Sequence, residues 1–488
     1  MNKQLLKKYS ITLILILIVS VSNVLFSQSS YKITVKTNAF KDTICILGNY
    51  YGKFQYPKDT ARFDNKGVAV FESKSKSLER GVYFLIFPNK KYLDFIVNKE
   101  QVISFDVDTN DVVKNTKVSG SKENQLFYEY NREAAVLGAQ YESLRKLEEK
   151  YKDSNKDSVV IIKEKMTALN LKMQDIKERF IITNPQTLVA KIFLLTKDPD
   201  LPEAPIKSDG TEDKDFVYYF YKEHFWDNMD FSDDALIRTP VFHSRLERYL
   251  TQVLVQHPDS LIKDIDVLVR MTEKTPEIFK YVVWFITYHF EISQIMGHDA
   301  VFVHMIDKYY KTGRAFWASE SVTKKIIERA DKLSPILIGK VAPNMALIDT
   351  SLNAYVQLWS IKAPYTIMIF WDPDCGHCKK EIEQLNSFYI TDGKPFGIEI
   401  YSVCTDTSLT TWKSKIVEKG ISDWINVNST QSALGHYQEL YDVYATPLIY
   451  ILDKEKRIIA KKISAENVSA FLRQYDKSFK REEKDEKL

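Results

Sequence analysis

Hydrophobic residues change their spacing twice along this chain of 488 residues, so more than one core is required to bury them. From Tyr31 to about Val107, apolar and polar residues alternate in short runs such as Ile33-Val35, Ile44-Ile46, Val68-Val70-Glu72, Tyr83-Leu85 and Ile103-Phe105. Gly, Asn, Lys and Asp separate these runs, which predicts a small β domain over residues 28–118. Past Val118-Ser119-Gly120-Ser121 the spacing turns helical through Leu126, Tyr130, Leu137, Tyr141 and Leu144, breaks at Asp153-Ser154-Asn155, and resumes to Ile182. That predicts a charged helical hairpin over 119–183. Asn184-Pro185 and the proline-rich run Asp198–Pro205 interrupt it. Residues 184–335 then read as four to six packed helices, with Pro240, Pro258 and Pro276 at first-turn positions. Their aromatics, around Phe216–Trp226 and Tyr281–Phe290, are expected in the core. After Leu333-Ser334-Pro335 strands and helices alternate, predicting a βαβαββα sheet sandwich over 336–478. Residues 479–488 form a charged tail that offers nothing to a core.

The first 27 residues carry Lys3, Lys7 and Lys8, an apolar stretch from Ile11 to about Val21, and a polar end near Ser27-Gln28. This is the pattern of a secretory signal peptide, and the apolar run is shorter than the ~20 residues a spanning helix needs. The expected location is therefore the periplasm or cell envelope, with a membrane tether if the segment stays uncleaved. A net charge of +3, with lysines interspersed among Asp and Glu, argues against a nucleic-acid partner.

Only four cysteines occur, too few for a disulfide-stapled exported scaffold. Two of them, Cys375 and Cys378, stand one helical turn apart in Cys-Gly-His-Cys. Cys45 and Cys404 are each alone in strand-like segments, and His289, His298 and His304 lack metal-ligand spacing, so neither metal nor cofactor is expected. Upstream of the pair, Tyr365–Phe370 reads as a buried strand; downstream, Cys378, Ile382, Leu385 and Tyr389 recur at helical spacing. Cys375 thus falls at a helix start, where unpaired backbone N–H groups and the helix dipole favour an anion. A thiolate there is the attacking sulfur, and Cys378, deeper in the helix, is the resolving one.

These residues resemble the thioredoxin-fold, TlpA/ResA-type thiol-disulfide oxidoreductases of the bacterial envelope. The resemblance rests on Phe370-Trp371 before the pair, Cys375-Gly376-His377-Cys378, Glu381 three residues later, Ala445-Thr446-Pro447 before the strand Leu448–Asp453, and the opening Val341-Ala342-Pro343-Asn344. The expected architecture is then multidomain: a small N-terminal β domain, a central all-helical region of unknown function and a C-terminal α/β thioredoxin-like domain. The resemblance implies a redox disulfide between Cys375 and Cys378, a cis bond at Thr446-Pro447 packed against it, and substrate pairing along the backbone of residue 446. It assigns Glu381 to proton handling beside the dithiol, and Gly376, His377 and Trp371 to tuning it. The implied partners are disulfide-bearing or dithiol envelope proteins and an upstream membrane electron donor or acceptor.

Two departures bear on this. Ile369 stands where thioredoxins place a buried Asp, and Asp374 replaces the Trp that commonly precedes the first Cys. The proton acceptor for Cys378 must lie elsewhere, with Glu381 the candidate. Gly-His between the cysteines resembles protein disulfide isomerase and points to an oxidant, whereas the TlpA/ResA kinship points to a reductase, the direction slightly favoured. Two alternatives are an envelope partner-binding protein with a regulatory or vestigial dithiol, and a thiol peroxidase. The second lacks its signature, because Asp372 and not Thr stands three residues before Cys375.

Overall fold

Side-chain caps at helix starts fix many of the boundaries in the computed structural model, which describes residues 30–477. The proposed signal peptide and the charged tail lie outside the described residues. Ser121 and Asn155 accept backbone N–H groups at the starts of helices Lys122–Tyr151 and Lys156–Thr183, satisfying donors that have no intrahelical partner. Pro240, Pro258 and Pro276 each begin a helix, where the missing N–H costs nothing. The described chain falls into two compact units. One runs up to Leu254 and takes in Met271–Ile278; the other comprises Val255–Arg270 and the residues from Phe279 on.

In the first unit, eight strands form two four-stranded sheets. They are β1 (Tyr31–Lys36), β2 (Ile44–Tyr51), β3 (Phe54–Arg62), β4 (Val68–Ser73), β5 (Gly81–Ile86), β6 (Tyr92–Val97), β7 (Val102–Asp106) and β8 (Lys117–Ser119). The sheet orders are β4-β1-β7-β8 and β3-β2-β5-β6. Ile33, Val35, Leu47, Leu85, Phe95, Ile103 and Phe105 share one buried core, each strand contributing alternate residues. Strand β3 escapes sequence reading because Pro57 interrupts it; it is an edge strand, where a proline sits without a ladder hydrogen bond, beside a register shift against β2. The helix Lys214–His224 corrects another expectation. It has no buried residue, and Phe216 and Tyr219 are exposed, whereas Phe225 and Trp226 just beyond it are in the core.

The second unit holds helices Pro276–Glu291 (from Phe279), His298–Met305 and Glu320–Leu333 with a seven-stranded sheet. Its strands are β9 (Ala346–Asp349), β10 (Tyr355–Gln357), β11 (Tyr365–Trp371), β12 (Glu399–Cys404), β13 (Ile425–Leu434), β14 (Leu448–Asp453) and β15 (Ile458–Lys461), in the order β10-β9-β13-β12-β11-β14-β15. The central strands β11, β12 and β13 run parallel, β14 pairs antiparallel with β11, and β15 pairs antiparallel with β14. Helices Gly376–Phe388, Leu409–Glu418 and Ala465–Tyr475 supply the α layers.

The βαβαββα reading omits β9, β10 and β13. Strand β13 has the sequence INVNSTQSAL, too polar to announce an interior strand. It is tolerated because the buried amide N–H donors find carbonyls: Asn426 donates to those of Ile421 (2.7 Å) and Trp424 (3.1 Å), and Asn428 donates to that of Asp406 (3.0 Å). No described helix is long and apolar enough to cross a membrane.

Candidate active site

Strand β11 is buried at every position, and it ends where the chain turns through Asp372-Pro373-Asp374. The Asp372 carboxylate accepts the Asp374 N–H at 2.9 Å, which shapes this turn. Cys375 follows as the N-cap of helix Gly376–Phe388, in extended conformation, and its sulfur accepts the Cys378 N–H at 3.2 Å. The sulfur therefore occupies the position a Ser or Asp oxygen fills at an ordinary helix start. Across from it, the Cys375 thiol donates to the Thr446 carbonyl at 3.5 Å, and the Thr446-Pro447 bond is cis. The two segments, 71 residues apart in sequence, meet at one sulfur.

The two thiols differ sharply in environment. Cys375 is partly exposed, whereas Cys378 is fully buried among Trp371, Ile382 and Leu385. Partial burial pushes the Cys375 thiol up, but hydrogen bonds from the Cys378 thiol and backbone N–H, from the Thr446 side chain and from the His377 backbone outweigh it, so the net shift is downward. Burial pushes Cys378 up, only partly offset by the Asp372 backbone N–H. One sulfur is prepared as an anion and the other is kept protonated.

The remaining predicted residues fall into place unequally. Trp371 is buried and its Nε1–H donates to the Ser402 hydroxyl at 2.8 Å, which fixes the ring beneath the dithiol helix. Ser402 was not singled out from sequence, although one hydroxyl within the apolar run Ile400-Tyr401-Ser402-Val403 is a readable signal. Gly376 lies in open space, and His377 is exposed on the first helical turn. Glu381 is half-buried, and its carboxylate accepts the Ala465 N–H at 2.5 Å. That helix, Ala465–Tyr475, has no cap from its own Ser464, so Glu381 supplies the missing acceptor at its positive end. Cys404 ends strand β12, paired in register with Trp371; burial pushes its thiol up to about 12. Cys45 is buried in the β domain and likewise pushed up to about 12. Among the described residues, no group of three or more His, Cys, Asp or Glu side chains is placed to hold a metal ion.

Comparison with known proteins covers all three regions. Residues 338–461 match the AhpC/TSA family, 162–332 match a domain of unknown function (DUF5106), and 31–127 match another (DUF4369). Thiol-disulfide oxidoreductase ResA of Bacillus thuringiensis (strain Al Hakam) is 26% identical over 130 residues, spanning 27% of this chain and 71% of the relative. ResA of Bacillus anthracis is likewise 26% identical over 130 residues, with 27% and 71% covered. Among solved structures, a domain of a possible thiol-disulfide isomerase from Cytophaga hutchinsonii is 40% identical, covering 30% of this chain and 97% of that one, at a TM-score of 0.28. A nucleophile-ready sulfur at a helix start, a buried second thiol one turn on and a family match over the same residues agree with one another. Behind two regions that match domains of unknown function, the last third of this chain is a thioredoxin-like domain of the AhpC/TSA family, similar to the thiol-disulfide oxidoreductase ResA.

Proposed function

We propose that this chain is an exported oxidoreductase that reduces disulfides in cell-envelope proteins through Cys375 and Cys378. The observation that carries the reading is the contrast within one helical turn: an accessible thiol with a lowered pKa beside a buried one with a raised pKa. The Cys375 thiolate attacks one sulfur of a substrate disulfide, forming a mixed disulfide and releasing the other substrate sulfur, which takes up a proton. Cys378 then loses its proton and attacks Cys375, releasing the second substrate thiol. Two electrons pass from the dithiol to the substrate, and the Cys375-Cys378 disulfide remains.

Thr446 and Pro447 form the surface on which the substrate backbone lies, with the Thr446 groups already directed at the reacting sulfur. His377 flanks the thiolate, Gly376 leaves its approach open, and Glu381 holds the last helix against the dithiol helix. Residues 1–27 direct export, the substrates are disulfide-bearing or dithiol proteins of the envelope, and a membrane electron donor restores the dithiol. No cofactor takes part in the exchange.

Reduction of insulin disulfides by the dithiol form tests the exchange; undiminished turnover in Cys375→Ser would remove it. Equilibration of the Cys375-Cys378 pair with a thiol buffer tests the direction. A reductase has a potential nearer the roughly −270 mV of thioredoxin than the roughly −120 mV of a strong oxidant. One observation favours the oxidising alternative, since a stabilised Cys375 thiolate stabilises the reduced pair and raises its potential. The same equilibration decides between them.

A further inference from the structure

Helix Glu320–Leu333 packs beside the loop that carries Thr446 and Pro447, and Arg329 makes the junction. Its guanidinium lies 3.5 Å from the Asp442 carboxylate and 5.8 Å from the Tyr444 ring centroid. Asp442 ends the short helix Tyr437–Tyr441 in a left-handed conformation and is mostly buried. Tyr444, two residues before Thr446, is 71% exposed. On its other side Arg329 lies 3.7 Å from Glu291, and Glu291 is in the wall of a cleft of about 460 Å³.

The cleft is lined by Trp284, Tyr288, Tyr310, Trp317, Val322 and Ile326, with Glu291 at its edge. Its shape is set in advance. Trp284 and Tyr288 stack at 5.7 Å between centroids, 9° from parallel, and Trp317 meets Tyr310 edge-on and hydrogen-bonds its hydroxyl. Val322 is 51% exposed on the rim. A cavity of this volume, apolar with aromatic walls and one charged group at its edge, has the character of a site for a side chain or small ligand. Glu291, Arg329 and Tyr444 link it, contact by contact, to the loop whose Thr446 carbonyl meets Cys375.

We propose that the cleft docks an apolar or aromatic side chain of the polypeptide whose disulfide is presented to Cys375. The helical region would then select the substrate. This rests on the exchange reading above. The contacts from Cys375 through Thr446, Tyr444, Arg329 and Glu291 bound the reach, and an extended segment advances about 3.3 Å per residue, so the docked side chain belongs within about ten residues of the reacting cysteine. The recognised class is thus an extended polypeptide with a hydrophobic residue near its disulfide, as an unfolded or loop segment offers. A small disulfide gains nothing from the cleft.

The test uses the full chain and disulfide peptides carrying one Phe in that window, each compared with the same peptide carrying Ser. The expected result is a KM about tenfold lower for the best Phe peptide at similar kcat, because a buried aromatic side chain contributes to binding remote from the reacting atoms. Val322→Glu is expected to bring the Phe-to-Ser ratio to about one. Equal KM values for Phe and Ser peptides in the native chain overturn the docking, as does a preference that survives Val322→Glu. Should Val322→Glu misfold, the native peptide comparison still decides. Absence of turnover for every peptide, Ser included, overturns the exchange reading instead.

Discussion

The carboxyl ends of β11 and β12 are neighbours in one sheet, and each delivers a cysteine with opposite chemistry. After Trp371 the chain leaves the sheet and places Cys375 at a helix start, where N–H groups converge on a partly exposed sulfur and lower its pKa. Opposite Trp371 the chain stays in the sheet, and Cys404 remains in the core with its thiol pushed up to about 12. Residue type and sheet are the same. What differs is the backbone that surrounds each sulfur and the water it can reach, and these alone separate a nucleophile from a small hydrophobe.

Removing each sulfur in turn gives the largest contrast. Cys375→Ser is expected to lower disulfide reduction by roughly a thousandfold or more, while Cys404→Ser leaves turnover within about threefold and costs about 1–3 kcal/mol of stability by burying a hydroxyl. Cys378→Ala is expected to accumulate mixed disulfides on Cys375, visible as reducible adducts on gels; their absence would break the assigned order of attack. Alkylation against pH sharpens the comparison further. The Cys375 pKa is lowered, so its thiolate, and with it the rate, persists as pH falls below the ordinary thiol value of 9.0. Cys404, raised to about 12, stays unmodified at pH 8 until the protein unfolds. Mass mapping of labelled peptides reads both, and equal labelling would end the distinction.

Smaller effects follow from the supports. Ser402→Ala leaves the buried Trp371 N–H without its acceptor and is expected to cost about 1–3 kcal/mol in denaturant unfolding. Glu381→Ala removes the acceptor at Ala465 and is expected to cost about 1 kcal/mol. Glu381→Gln keeps an oxygen there but no charge. A slowed resolution step near neutral pH in Glu381→Gln assigns Glu381 to proton transfer, and an unaltered pH–rate profile restricts it to holding the helix.

Much of this site is legible in the sequence. The strand Tyr365–Trp371, the helix start at Cys375 and the buried position of Cys378 follow from spacing, because a turn of helix and a pleated strand impose their periods on whatever they bury. The helix starts at Pro240, Pro258 and Pro276 are equally local. By contrast β13 was invisible, since its asparagines look like loop residues until Ile421, Trp424 and Asp406 supply carbonyls for their N–H donors. Aromatics in Lys214–His224 matched a core pattern, yet none of them is fully buried and Phe216 and Tyr219 are exposed.

The amino-acid order alone determined that two thiols sit one turn apart at a strand-to-helix junction, with the first favoured as an anion, because capping and dipole effects act within a few residues. Only the tertiary structure decided that Glu381 serves Ala465, that Ser402 holds Trp371, and that Arg329 joins an aromatic cleft to the loop facing Cys375. Those pairings join residues from 31 to 113 positions apart. Such partners are chosen by how whole elements pack, and no local pattern records that choice.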